Sequence, residues 1–209
     1  MSIFCDGACS GNGRKGAVGG WGWAYWAGPV RGEPTAAAAD RLDVPPGLPA
    51  TNQRAELTAL LKVLRWLAAS AVPSIDIYTD SMYTINCTST WGPAWKKAGW
   101  KRKTGEPLQN LDLIVPLVEL WRPGWRLHHV RGHQTNSSPQ AYGNNWVDQA
   151  AVAGAEGKVL SPSSFSSFII PDVSAPATVA KITEVKGSAL PASLTLAQAK
   201  QTDLRMWFS

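Results

Sequence analysis

What this 209-residue chain lacks narrows it quickly. No apolar run approaches the roughly 20 residues that a membrane-spanning helix needs, so no helical membrane anchor is expected. Cysteines number only three (Cys5, Cys9, Cys87). The odd count, without zinc-type spacing, argues against a disulfide framework and leaves free thiols in a reducing compartment as the simplest reading. The first residues enter a strand pattern directly, with no basic stretch and apolar core of the secretory kind, so a cytoplasmic location is expected. Charged residues are sparse at 17%, but apolar ones reach 44%, which excludes wholesale disorder. The length allows one ordinary domain plus an appendage.

What is present is a modest basic excess, net charge +5, distributed unevenly. Lys96, Lys97, Lys101, Arg102 and Lys103 crowd into one segment. Such a patch points to a polyanionic partner, with a merely solvated basic face as the alternative.

The pattern along the chain predicts a short strand over 2–8 and a glycine-rich turn over 11–16. A second strand is expected over 18–27, with Trp21, Trp23 and Tyr25 on one face by period-two alternation. A third is expected near Arg41–Val44 inside a Pro/Gly/Ala-rich loop. Thr51-Asn52-Gln53-Arg54-Ala55-Glu56-Leu57 opens a strong helix to about Ser70, and Ile75–Asp80 reads as a β-branched strand. Ser81 caps a short helix. The Trp- and Lys-rich segment follows, then a helix over about 110–121, a strand over 126–130, a polar loop over 132–143 and a helix over about 144–155. Strands in hairpin order followed by alternating helices and strands predict an α/β fold, a mixed sheet flanked by helices.

Four acids sit awkwardly in that frame. Asp6 lies inside an apolar strand, where a carboxylate is costly unless a cation offsets it, and the first base in sequence is Arg14, beyond the turn. Glu56 shares a helical column with Leu60, Val63 and Leu67, facing the core side. Asp80 ends an apolar strand, at the carboxyl edge where α/β sheets place their sites. Asp148 shares a face with Ala151, Val152 and Ala155. Singly, each has a bland account: a helix-dipole or capping acid for Glu56 and Asp148, an N-cap for Asp80. Together they suggest a carboxylate cluster, which repels itself unless hard divalent cations lie within it.

These residues, with Asp6-Gly7-Ala8-Cys9-Ser10-Gly11-Asn12, Thr79-Asp80-Ser81, Gly132-His133, Asn144 four before Asp148, and Trp91 with Trp95-Lys96-Lys97-Ala98-Gly99-Trp100-Lys101, resemble type 1 ribonuclease H in the family's order over about 2–155. The resemblance implies a ribonuclease H-like, five-stranded mixed sheet over 1–156. It also implies an endonuclease cutting the RNA strand of RNA–DNA hybrids to leave 3′-hydroxyl and 5′-phosphate ends, using two Mg²⁺ ions, with Mn²⁺ as an alternative occupant. Asp6 would bridge both metals, Asp148 would complete the nucleophile-side site, and Glu56 and Asp80 would hold the other. His133 would relay a proton or assist product departure, and Asn144 would orient the phosphate or a ligand. Cys9, Asn12, Thr51, Asn52 and Gln53 match the substrate-contacting positions, several of them reading 2′-hydroxyls in the shallow minor groove. One departure is Met82, where a Gln commonly stands. The segment around Trp91, Trp95 and Trp100 resembles the family's basic protrusion, its tryptophans packing inward and its five bases meeting phosphates.

Beyond the domain, 157–193 reads as a Ser/Pro/Ala-rich linker, with strand fragments at 168–170 and 179–185. The 194–209 peptide ends in Gln201-x-x-Leu204-x-x-Trp207-Phe208, a pattern similar to peptides that dock on replication sliding clamps; an end helix folding back is the alternative. The Met start and this tail favour a free-standing enzyme over a piece released from a reverse transcriptase, and a monomer with a part in DNA replication is expected. A hybrid-binding accessory protein without catalysis is the runner-up, disfavoured because all four acids are present.

Overall fold

A computed structural model of the chain describes residues 1–102 and 104–158. The strands are β1 (Ser2–Ser10), β2 (Val18–Trp26), β3 (Ala36–Arg41), β4 (Ile75–Thr79) and β5 (Trp125–His129), in the order β3-β2-β1-β4-β5. β1, β2 and β3 pair antiparallel, while β4 and β5 run parallel to β1 and to each other. The helices are α1 (Asn52–Ala69), α2 (Met82–Asn86), α3 (Gly92–Lys97), α4 (Leu111–Leu120) and α5 (Pro139–Ala155), with a π-helical turn, Cys87–Trp91, joining α2 to α3. The expected mixed five-stranded α/β sheet is what forms. None of the described helices is long and apolar enough to cross a membrane.

Alternation along β1 builds two cores. Ile3 and Cys5 face α1 and α4, packing with Trp21, Trp23, Leu57, Leu60, Leu64 and Ile114. Phe4 faces α5, packing with Trp26, Trp146 and Val147. The column carrying Glu56 behaves as its spacing predicts: Leu60, Val63 and Leu67 are all fully buried. Gly20 lets α5 lie directly on β2, since a Cβ there would stand 2.1 Å from the amide nitrogen of Ala155.

Three local expectations need correction. The third strand is Ala36–Arg41, not 41–44. Its four alanines have weak strand preference and form a strand because β2 supplies the ladder, from Tyr25↔Ala36 to Gly20↔Arg41. The last helix starts five residues early, at Pro139. Ser138 caps it by accepting from the Ala141 amide (3.2 Å), and Pro139 fills the first turn, where its missing N–H costs nothing. Asp148 therefore sits mid-helix, which removes the dipole account of it. Val152, placed on the packed face from sequence, is 44% exposed.

Candidate active site

The sheet register brings two of the acids together. Ser2↔Asp76 and Phe4↔Tyr78 are partners in the parallel β1–β4 pair. Continuing by two residues sets Asp80, one residue past β4, beside Asp6. The faces agree too, because Phe4 and Tyr78 stack at 4.7 Å just before the two acids. Asp6 is only 6% exposed.

Glu56 arrives from the opposite face. A Cβ on Gly7 would lie 2.2 Å from the Glu56 amide nitrogen, so only glycine lets β1 press against the first turn of α1. Glu56 accepts from Asn52 Nδ2 at 2.7 Å and from the Ser81 hydroxyl. That hydroxyl also accepts from the Thr84 amide, so Ser81 caps α2 and steadies an acid at once. Asp148 is half-buried on α5. One turn earlier, buried Asn144 donates from Nδ2 to Asp80 Oδ2 at 3.2 Å.

Electrostatics tie the four into one group. Burial raises Asp6 well above the ordinary carboxylate range, and the charges of Asp80, Asp148 and Glu56 push further, against a 2.7 Å bond from the Gly7 amide. Burial lifts Glu56 to about 7, opposed by Ser81 and reinforced by Asp80. Burial also raises Asp148, with His133 pulling down and Asp80 pushing up. Beneath them the Cys5 thiol is driven well up by burial, then by Asp6 and Asp80. No described cation pairs with Asp6, Glu56, Asp80 or Asp148 through an ion pair.

Among the described residues, no three His, Cys, Asp or Glu side chains close into a ready metal-binding group. The acids act on one another as like charges, which repel. The donor set nevertheless fits a hard divalent cation: four carboxylates, whose oxygens Mg²⁺-class ions prefer. Asn144 Oδ1 adds a buried acceptor with no hydrogen-bond partner.

The other expected site residues divide by location. Asn12 Oδ1 accepts from the Asn52 amide (2.9 Å), pinning the β1–β2 turn to α1, while Thr51 caps α1 by accepting from the Arg54 amide (3.2 Å). Cys9 is half-buried near the end of β1, and Gln53 is exposed. His133 is exposed on the loop before α5 with φ of 50°, its charge reaching Asp148. Met82 is 48% exposed at the start of α2, next to Ser81.

The Trp- and Lys-rich segment stands apart from the acids. Trp95 and Trp100 pack on the α1-side core, and Lys96, Lys97, Lys101 and Arg102 are exposed. Trp91, expected to pack inward, is 41% exposed; it lies 5.9 Å from the Trp95 ring and lines a cleft of about 270 Å³ with Gln53, Tyr83 and Arg102. Lys103 and the tail residues Gln201, Leu204, Trp207 and Phe208 lie outside the described residues, as do the linker beyond 158 and its two strand fragments.

Sequence reasoning missed Arg54. Its guanidinium is buried, donating to both oxygens of Asp112 and to Asn110 Oδ1 (3.2 Å), which fastens α1 to α4. The 58-residue separation from Asp112 left no local signal. It missed Asn145 as well, which donates to the Gln134 carbonyl (2.8 Å) and latches the His133 loop to α5.

The RNase H family profile matches residues 1–156. Ribonuclease H1 of Mus musculus is 38% identical over 158 residues, 74% of this chain but 50% of that protein, so the chain spans about half the length of this relative. Ribonuclease H of Cupriavidus necator is 38% identical over 164 residues, covering 75% of this chain and 95% of that one. The solution structure of the PFV RNase H domain superposes with a TM-score of 0.61 at 22% identity, covering 74% of this chain and 93% of that one, and shows the shared fold. With the profile covering most of its length and the acids at one end of that sheet, the chain belongs to the RNase H family and is of type 1.

Proposed function

We propose that the protein hydrolyses the RNA strand of RNA–DNA hybrids internally, leaving 3′-hydroxyl and 5′-phosphate ends. The observation that carries this reading is Asp6, set in a family sheet without a cation and driven toward protonation first by its burial and then by three neighbouring acids. An acid so placed suits a site whose countercharge comes from bound metal. In this reading Asp6, Glu56, Asp80 and Asp148 hold two divalent ions, Mg²⁺ or in its place Mn²⁺. When bound, these supply Lewis acidity toward the phosphodiester and its attacking water.

The chain's own groups do the rest. Asn144 holds the Asp80 carboxylate through Nδ2, and Asn52 and Ser81 hold Glu56, so the acids keep their aim. Asn12 and Asn52 fix the β1–β2 turn against α1, presenting Cys9, Asn12, Asn52 and Gln53 as one edge for the hybrid's minor groove, where 2′-hydroxyls distinguish RNA from DNA. His133, exposed and electrostatically linked to Asp148, takes up or releases the proton that accompanies product departure. Lys96, Lys97, Lys101, Arg102 and Lys103 supply sequence-independent affinity for phosphates.

The test is cleavage of an end-labelled hybrid with Mg²⁺ beside Asp6→Asn. The wild type should cut only the RNA strand, and the variant should lose about 10³-fold or more in kcat while still binding. Binding without cutting by the wild type would refute the nuclease reading in favour of a hybrid-binding accessory role. The C-terminal peptide docks on a sliding clamp in the same reading; a chain ending at Lys200 should lose clamp retention, and equal retention would refute it.

A further inference from the structure

A cleft of about 600 Å³ lies away from the acids, none of which lines it. It lies between the glycine-rich β1–β2 turn and the segment joining β3 to α1. Arg14, Lys15 and Arg41 line it, and no carboxylate does. All three are exposed and form no ion pair among the described residues. The nearby acids Asp40 and Asp43 act on Lys62, which lies over the Trp21 ring, and neither lines the cleft.

One hydrogen bond joins the two walls of this basic cleft, and a second ties it to the acid site. Gly13 N–H donates to the Ala50 carbonyl (2.8 Å), and Asn12 Oδ1 accepts from the Asn52 amide, whose side chain holds Glu56. The next residue, Gln53, belongs to the other cleft, with Trp91, Trp95 and Arg102. The start of α1 therefore adjoins two basic features, one on the β1–β2 turn through Ala50 and one on the Trp- and Lys-rich segment through Gln53.

We propose that the Arg14–Lys15–Arg41 cleft is a second anchoring site for the phosphodiester backbone of the bound hybrid, so that the substrate is held on both sides of the acids. Three unpaired cations around an open cleft free of carboxylates match a run of phosphates, each contact releasing a condensed counterion. Only that duplex is brought there by the site Asn12 and Asn52 join to it, so the inference rests on the function proposed above.

The test uses the full chain and a triple variant, Arg14→Gln/Lys15→Gln/Arg41→Gln, with Arg122→Gln as a charge-loss control near the N-terminal end of β5. Binding of a long hybrid is measured in EDTA across a salt series, then cleavage with Mg²⁺. The triple variant should bind about tenfold more weakly at moderate salt, with the slope of log Kd against log salt reduced by about 2 to 3. Its KM should rise in parallel with kcat unchanged, and Arg122→Gln should match wild type. On hybrids trimmed on the side away from the Trp- and Lys-rich segment, wild type and triple variant should bind alike. Equal affinity and slope on the long hybrid would overturn the proposal. Failure of the wild type to cut would overturn the nuclease reading alone, because the EDTA arm still decides this one. Should the triple variant lose its thermal transition, Arg14→Gln and Arg41→Gln singly should each lower the slope by about one.

Discussion

Asp76 and Asp80 stand four residues apart around one strand and face opposite circumstances. Asp76 is gripped by Arg126, at 2.7 and 2.9 Å, and by His128 at 2.7 Å, and its carboxyl is held down to about 2, chiefly by the Arg126 bonds. Asp112 is likewise lowered by Arg54. Asp80 has one amide donor, Asn144, and helps raise Asp6, Glu56 and Asp148. The fold thus supplies cations to acids that serve structure and withholds them from those at the sheet's carboxyl edge. An acid without a cation is destabilising as it stands, and that cost is tolerable where countercharge arrives from outside.

The sharpest way to break the contrast is at Asp112. Asp112→Asn takes from the buried Arg54 guanidinium its countercharge and one of the two oxygens it donates to, leaving Asn110 and one amide oxygen as acceptors, and Arg54 Nε already has no partner. Discounting for the exposure of Asp112 itself, unfolding in urea at neutral pH should show a loss of about 2 kcal/mol. A loss within error of zero would mean the partnered acids are no more structural than the unpartnered ones.

Glu56 should show the opposite sign. Burial raises its folded-state pKa from the ordinary 4.5 to about 7, so the stability it contributes is fully present below about 4.5 and is lost as pH rises through about 7. Metal-free protein should lose thermal stability over that window, Glu56→Gln should flatten the loss, and millimolar Mg²⁺ should restore the midpoint in wild type. A pH-independent midpoint without metal, or one Mg²⁺ leaves unmoved, would sever the link between missing cations and metal binding.

The division between structural and functional acids was partly legible in the sequence. Glu56 could be placed because Leu60, Val63 and Leu67 fix its column, and Asp6 because β1 is apolar on both sides of it. Asp148 was picked out by the helix face it shares with Ala151, Val152 and Ala155, yet its helix was read as starting late, since Ser138-Pro139 looks like a loop locally and becomes a cap only when the Ala141 amide folds onto it. The alanine strand β3 hid because alanine carries almost no strand preference, so its pairing is decided by β2. Arg54, Asn145 and the Arg14–Lys15–Arg41 cleft were out of reach, each arising from residues brought together by the sheet and loops.

The smallest effect belongs to Asp76, and it tests whether partnering alone sets the sign. A carboxyl depressed from 3.8 to about 2 contributes stability that is present above about 3.8 and is lost as pH falls through about 2. Arg126 and His128 are exposed enough for solvent to screen the pair. Asp76→Asn should therefore cost no more than about 1 kcal/mol at neutral pH, and that cost should shrink as the buffer is taken toward pH 2. Hybrid cleavage at pH 8 should not change, because Asp76 points to the arginine and histidine of β5 while Asp80 alone continues the strand into the acid cluster. A drop in kcat in this variant would show that the Asp76–Arg126 ion pair between β4 and β5 reaches the site through the Tyr78–Phe4 stack, and would erase the boundary between the two kinds of acid.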